Sequence, residues 1–174
     1  MNIGLIGLLI CQVLLVVFAL YLIISWINQT PFYPSSVKKL DKLIKDGEIK
    51  LPDDVRFVDI GSGDGRFVVW AARSGFSKAD GIEYNPFLSL FAKFRLLISR
   101  LNGKSTIHNK DFNKHDFSDY NVAYMYIFSE HMDRIKQKLF SEMKPGSMVI
   151  SNTFKFKDLE PDQVVGRFNI YKVK

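Results

Sequence analysis

The chain has 174 residues, enough for one ordinary domain and an appendage and too few for a two-domain enzyme. Its formal charge of +6 falls wholly beyond Val37, because residues 1–37 contain no Asp, Glu, Lys, Arg or His. The lone Cys11 excludes an internal disulfide and a thiolate metal site.

From Ile3 to Ile27 the sequence is apolar except for Gly4, Gly7, Gln12 and Ser25. As a helix this stretch would be about 37 Å long, more than the roughly 30 Å hydrocarbon core of a bilayer. A cleaved signal peptide is the alternative, but its apolar region runs to about 7–15 residues behind a basic start. A retained anchor over residues 1–28 is therefore expected. Lys38, Lys39, Lys42 and Lys45 follow it and nothing basic precedes it, so the positive-inside bias predicts a catalytic domain on the cytoplasmic or mitochondrial matrix side. On a tethered domain the net positive charge reads as attraction to anionic headgroups. Neither zinc-ligand spacing nor an aromatic-basic RNA signature supports nucleic acid as the partner instead.

Residues 29–50 read as a linker stiffened by Pro31 and Pro34, then a short amphipathic helix with Ser36 as N-cap, Val37, Leu40 and Ile44 on one face and Gly47 as its stop. Residues 51–174 form the expected domain. Strands are predicted at Arg56–Ile60, Ala79–Glu83, Ser105–His108, Val122–Phe128, Ser147–Thr153 and Arg167–Val173. Helices are predicted at Gly65–Arg73, from Asn85-Pro86 to a stop at Gly103, and at Met132–Met143. In the second of these, Phe87, Phe91, Phe94, Ile98 and Leu101 recur at helical spacing and read as its core face. Strands alternating with helices predict an α/β, Rossmann-like fold: a mostly parallel sheet covered on both faces, with its ligand at the carboxyl ends of the strands.

That is where "DIGSGDGR" falls, from Asp59 to Arg66. Gly61, Gly63 and Gly65 allow a sharp strand-to-helix turn and bring backbone N–H groups close to a ligand. The third glycine comes one residue early for the dinucleotide fingerprint, no Lys-Ser/Thr pair follows as in a phosphate loop, and Asp59 would repel a phosphate. S-adenosylmethionine suits these residues better, since it is cationic at the amino acid end and carries no phosphate. Asp59 can accept from that end. Glu83, closing the next strand, can accept from the ribose hydroxyls. Asp111 is placed for the adenine edge, with Phe112 beside the ring.

The stretches "VDIGSGDGR", "GIEYNP", "KDFNKHDFSDY" and "MKPGSMVIS" resemble the class I methyltransferases, and among them the small membrane-anchored protein lysine methyltransferases that modify the c-ring protein of ATP synthase and the adenine nucleotide translocase. The resemblance extends to an N-terminal span followed by a Pro-aromatic stretch like "TPFYPS". It implies cofactor roles for Asp59, Gly61, Ser62, Gly63, Gly65, Glu83 and Tyr84, and a substrate entrance near Phe32, Tyr33 and Pro34. Asn113 departs from the aromatic residue of the family's "DFWK"-like stretch, and no "NPPY"-type motif follows the fourth strand.

Transfer of the methyl group requires in-line alignment and exclusion of water, and no metal. A substrate lysine must be neutral, at a cost of about 4–5 kcal/mol at pH 7, which an apolar aromatic mouth reduces. Tyr33, Tyr124 and Tyr126 are candidates for that mouth, with ordinary strand packing the alternative for Tyr124 and Tyr126, and Glu130 for steering the cation or accepting its proton. The expected substrate is a lysine-bearing membrane protein. A lipid or membrane-soluble small molecule, or cofactor binding without turnover, are the alternatives. The sequence leaves the oligomeric state open.

Overall fold

The computed structural model describes residues 3–27, 36–101, 103–128 and 131–174. The chain divides into two units, 1–33 and 34–174. The first contains one helix, α1 (Ile3–Ile27). Among the described residues it is the one helix long and apolar enough to cross a membrane, and its most apolar stretch, Gly4–Tyr21, is buried against nothing. Length and composition suit a membrane span and a signal sequence alike.

In the second unit, β1 (Arg56–Ile60), β2 (Lys78–Glu83), β3 (Ile107–Asn109), β4 (Val122–Met125), β5 (Met148–Asn152), β6 (Gln163–Val165) and β7 (Phe168–Lys172) form a single sheet in the order β3-β2-β1-β4-β5-β7-β6. The first five pair in parallel, whereas β7 runs antiparallel to both β5 and β6. The order reverses between β1 and β4, where an open α/β sheet presents its ligand crevice. Alternation along the strands divides the core in two. Phe57, Val122, Tyr124, Ile150 and Ile170 pack with α2 (Val37–Lys45), α3 (Arg66–Arg73) and α4 (Pro86–Ile98). Val58, Ile60, Ala123, Met125, Val149 and Tyr171 pack on the opposite face with α5 (Met132–Glu142).

Local chemistry accounts for the helix ends. The Asn85 side chain accepts from the N–H groups of Phe87 and Leu88 at 2.9 and 3.3 Å, and Pro86 needs no acceptor at the first helical position. Gly47, at φ +77°, ends α2 as expected. Ser36 stands at the N-cap of α2 without a capping hydrogen bond. That helix belongs to the core, with Leu40 fully buried and Asp41 accepting from the Trp70 indole N–H at 2.9 Å.

Several expectations are corrected. The helix α4 stops at Ile98 rather than near Gly103, because Arg100 turns into the left-handed region at φ 58°. The third strand is displaced to Ile107–Asn109, and β4 ends at Met125, short of Phe128. The three-residue β6 lacks the length for an alternating pattern, and only its pairing to β7 across Gly166 reveals it. Most consequentially, most of the aromatic stripe faces outward, although Leu101, just beyond α4, is buried in the core as expected and Phe87 is half-buried. Phe91, Phe94 and Ile98 are exposed, and the inward face is the sparse set Ser89, Ala92 and Leu96.

The small inward face of α4 has a steric origin. Gly65 lies against it, and a Cβ added at Gly65 would come 2.9 Å from the Cβ of Ala92. Gly47 has equally positive φ but open space around it. Gly47→Ala should therefore cost about 1–2 kcal/mol from backbone strain. Gly65→Ala should cost about 2–5 kcal/mol, the overpacking being added to the same strain. Urea unfolding of the two variants side by side tests the difference.

Candidate active site

Gly61, Gly63 and Gly65 have φ of 75°, 54° and 74°, so each glycine of the turn occupies a conformation that side chains disfavour. Four of the turn's N–H groups are directed into the protein. Those of Gly61 and Ser62 donate to the Ile82 carbonyl at 2.9 and 3.0 Å, and that of Gly65 to the Ser62 carbonyl at 2.9 Å. Gly63 donates to Glu83 Oε2 at 2.7 Å. The expectation that these groups would meet a ligand is corrected for these four. Three of them hold the turn to β2, and the fourth, that of Gly65, closes the turn on itself.

Carboxylates set the electrostatics. Glu83 Oε1 also accepts from the Asn85 N–H at 2.8 Å, so one side chain ties the β1–α3 turn to the β2–α4 turn. Burial raises the Glu83 pKa, partly opposed by backbone N–H donors of Asn85, Gly63 and Tyr84. Asp59 is almost fully buried and has no cationic partner among the described residues. Burial, then the negative charges of Glu83 and Asp64, push its pKa well above the carboxylate range. Asp64 differs. Burial acts to raise it, but the hydrogen bonds and charge of Arg66 and the charge of Arg95 outweigh that and hold its pKa down. Ion pairs of 2.8 and 2.7 Å to Arg66 and Arg95 make Asp64 a clasp between α3 and α4. Ser62 Oγ is buried without a hydrogen-bond partner among the described residues.

Three of the remaining sequence-predicted residues border this turn or follow β3. Tyr84 is exposed beside Glu83. Asp111 caps a 3₁₀ turn, its Oδ1 accepting from the backbone and side-chain nitrogens of Asn113 at 2.9 Å each. Phe112 is half-buried, edge-on to His131 at 6.4 Å between centroids.

Tyr124 does not line a mouth. It is buried beneath α3, stacked on Phe67 at 4.3 Å, and its hydroxyl accepts from Asn152 Nδ2 at 2.9 Å. Because Tyr124 pairs with Asp59 in the middle of the sheet, its side chain is committed to core packing. Tyr33 and Glu130 lie outside the described residues. Tyr126 belongs to an aromatic cluster beyond the end of β4, stacked on Phe154 at 6.0 Å, with Phe128 5.6 Å from the same ring and the Arg167 guanidinium 5.4 Å from Tyr126. Phe154 was not legible as a site residue. It joins the cluster because the chain reverses at Thr153, a β-branched residue at φ 73°, held by the Thr153 N–H donating to the Arg167 carbonyl at 2.7 Å. Gly61 and Ile127 approach closely, a Cβ at Gly61 lying 3.9 Å from Ile127 Cγ1, so turn and cluster share one end of the sheet.

A parallel sheet in this order with an antiparallel β7 between β5 and β6, and a glycine turn between two buried acids at the strand ends, defines the class I methyltransferase fold. Residues 59–163 match the ANTKMT methyltransferase domain, and the chain belongs to that family. It is similar to the human lysine N-methyltransferase of the ATP synthase c-ring protein, with 32% identity over 136 residues, 78% of this chain and 57% of that protein. It is 28% identical over 142 residues to a protein-lysine N-methyltransferase of Saccharolobus islandicus, covering 81% of this chain and 87% of that one. The mouse adenine nucleotide translocase lysine N-methyltransferase is 27% identical over 138 residues, 79% of this chain and 59% of the relative. The chain thus spans little more than half the length of the human and mouse relatives. Among solved structures, an RNA methyltransferase from Salinibacter ruber in complex with S-adenosyl-L-homocysteine superposes with a TM-score of 0.72 at 25% identity, covering 81% of this chain and 94% of that one.

The raised Asp59 pKa has a signed consequence for stability. The folded state holds a proton that the unfolded chain gives up at lower pH, so this residue's contribution falls as pH rises from the ordinary carboxylate range to the raised folded value. Asp59→Asn removes that loss. In thermal unfolding without ligand, the variant should match the parent below the ordinary carboxylate range and melt higher at neutral pH, with the gap opening as pH rises.

Proposed function

We propose that this protein binds S-adenosylmethionine and methylates lysine on a membrane protein close to the bilayer surface. The observation that carries the cofactor reading is the field at the glycine turn. The N–H groups of Gly61, Ser62, Gly63 and Gly65 are internally satisfied and the two buried acids, Asp59 and Glu83, lack a cation among the described residues, which disfavours a phosphate and favours a positively charged ligand without one. When bound, the cofactor supplies an electrophilic methyl group on sulfonium.

In this reading Asp59 accepts from the cationic amino acid end. Glu83 keeps its backbone donors and uses remaining lone pairs for the ribose hydroxyls. Gly61, Gly63 and Gly65 keep the floor free of side chains, and the unpartnered Ser62 hydroxyl lies beneath it. Tyr84, Asp111 and Phe112 enclose the nucleoside, with Asp111 Oδ2 toward the base. Tyr126, Phe128 and Phe154 form the apolar wall along which the lysine stem is desolvated and its neutral form favoured. Tyr33 and Glu130 complete the entrance.

The lysine reading rests on family membership and on the named activities of the human, mouse and archaeal relatives. For the substrate's location we take α1 as a retained span over residues 1–28, residues 29–50 as the junction and residues 51–174 as the methyltransferase domain on the cytoplasmic or matrix side. An active site tethered so near the headgroups gains effective concentration for targets in the same plane.

Two measurements test this. S-adenosylmethionine should bind in the micromolar range, and Glu83→Ala should weaken it about tenfold to a hundredfold, since a charge-assisted contact contributes about 1.5–3 kcal/mol. The parent's affinity should fall by up to about tenfold per pH unit as Asp59 takes up its proton, and level off above its raised pKa. Unchanged affinity in the folded Glu83→Ala variant removes that residue's role.

The second measurement follows a labelled methyl group from S-adenosylmethionine into native membranes, with protein, lipid and RNA separated. Label should appear as methyl-lysine in membrane protein. Deleting residues 1–27 should leave cofactor affinity nearly intact while sharply reducing this transfer. Label confined to lipid or to RNA overturns the substrate reading, and a full rate in the truncated chain overturns the role of the anchor.

A further inference from the structure

The helix α4 is built inside out. Its inward face is Ser89, Ala92 and Leu96. Its outward face carries Leu90, Phe91, Phe94, Leu97 and Ile98, between 52% and 67% exposed. At 100° per residue these five fall within a single arc of about 120° centred on Phe94. Lys93 flanks the arc on one side and Arg95 on the other. By contrast, α5 buries Met132, Ile135 and Leu139 and exposes Asp133, Arg134, Gln137 and Ser141 in the ordinary way. A contiguous apolar patch of this size on a helix marks an interaction surface.

Charge identifies the occupant. From Tyr84 to Lys110 the chain contains Lys93, Arg95, Arg100, Lys104 and Lys110 and no Asp or Glu. Arg95 is already committed to Asp64 and leans over the Phe91 ring at 5.5 Å, with its stem along the apolar face. Lys93, Arg100 and Lys104 are exposed and form no ion pair among the described residues. Aromatic and aliphatic side chains in one arc, bordered by basic residues and free of acids, are the composition of a helix that lies in the membrane interface.

We infer that the outward face of α4 seats in the headgroup and acyl boundary of an anionic bilayer, so that this domain carries a lipid-binding surface of its own. The N-terminus of α4 follows Glu83 at the ligand end of the sheet, so seating this helix fixes the height of the candidate active site above the bilayer. The inference is independent of methyl transfer and of what is methylated.

The full chain, in a Cys11→Ser background, is labelled with a nitroxide at Phe94→Cys or, on the opposite face of the sheet, at Ser141→Cys. It is then reconstituted in phosphatidylcholine vesicles with and without phosphatidylserine. In anionic vesicles the label at 94 should relax mainly by collision with oxygen, placing it roughly 5–10 Å below the headgroups. The label at 141 should respond mainly to a water-soluble nickel chelate. Lys93→Glu with Arg100→Glu should shift the label at 94 toward the chelate. Both positions are surface-exposed, so labelling leaves the core intact. Nickel accessibility at 94 equal to that at 141 overturns the inference. Spin–spin broadening at 94 that persists in detergent also overturns it and assigns the face to a second copy of the chain.

Discussion

The candidate site depends on one carboxylate. Glu83 lies at the end of β2, and its two oxygens take an N–H from Gly63 and an N–H from Asn85. The first contact belongs to the turn that starts α3 and the second to the turn that starts α4. A single buried side chain thus sets the spacing of two helix entries on the same face of the sheet. It can do so because the turn has three left-handed glycines and because β2 has a glycine, Gly81, facing it: a Cβ added there would come 2.7 Å from the Cβ of Ser62. Its neighbour Asp59 has no such donors. Two acids share one low-dielectric corner: burial raises both pKa values, and the one without donors is pushed well above the carboxylate range.

From this arrangement follows a division of labour among three acids. Asp64 is neutralised by Arg66 and Arg95 and acts as a mechanical clasp. Glu83 is held by N–H donors and acts as a strut. Asp59 is left with an unmet electrostatic demand, which is the property expected of a residue reserved for a cationic ligand. The site therefore carries a stability cost at its centre, offset by the two layers of apolar packing on either face of the sheet.

Much of this was legible in the sequence. The strand before the glycine turn reads as Arg56–Ile60 and is found there, because Phe57, Val58 and Ile60 form a short apolar run ended by the glycine turn, the pattern of a strand buried on both faces. Asn85-Pro86 announces a helix start by local chemistry alone, and local chemistry is where sequence reading is strongest. Orientation was harder. The stripe on α4 has perfect helical spacing, and spacing says only that a helix has a face, not which way it points. What decides is Gly65, twenty-seven residues from Ala92 in the chain, whose close approach admits only small side chains beneath α4. Tyr124 was ambiguous for the same reason, since its place under Phe67 depends on the register of β4 against β1. Phe154 entered the aromatic cluster through the backbone reversal at Thr153, a residue type that gives no warning of positive φ.

The antiparallel β7 also governs the order in which the fold can be completed. The outer edge of β5 is covered by β7, yet β6 and its turn come between them in the chain. During synthesis the five parallel strands can associate while β5 still presents a row of unpaired amides and carbonyls to its surroundings. Until Phe168–Lys172 leaves the ribosome, Asn152 lacks Arg167 and the core beneath β5 lacks Tyr171. Any state in which Phe168–Lys172 has not docked leaves that margin open, and the hairpin of β6 and β7 is the cover that closes it.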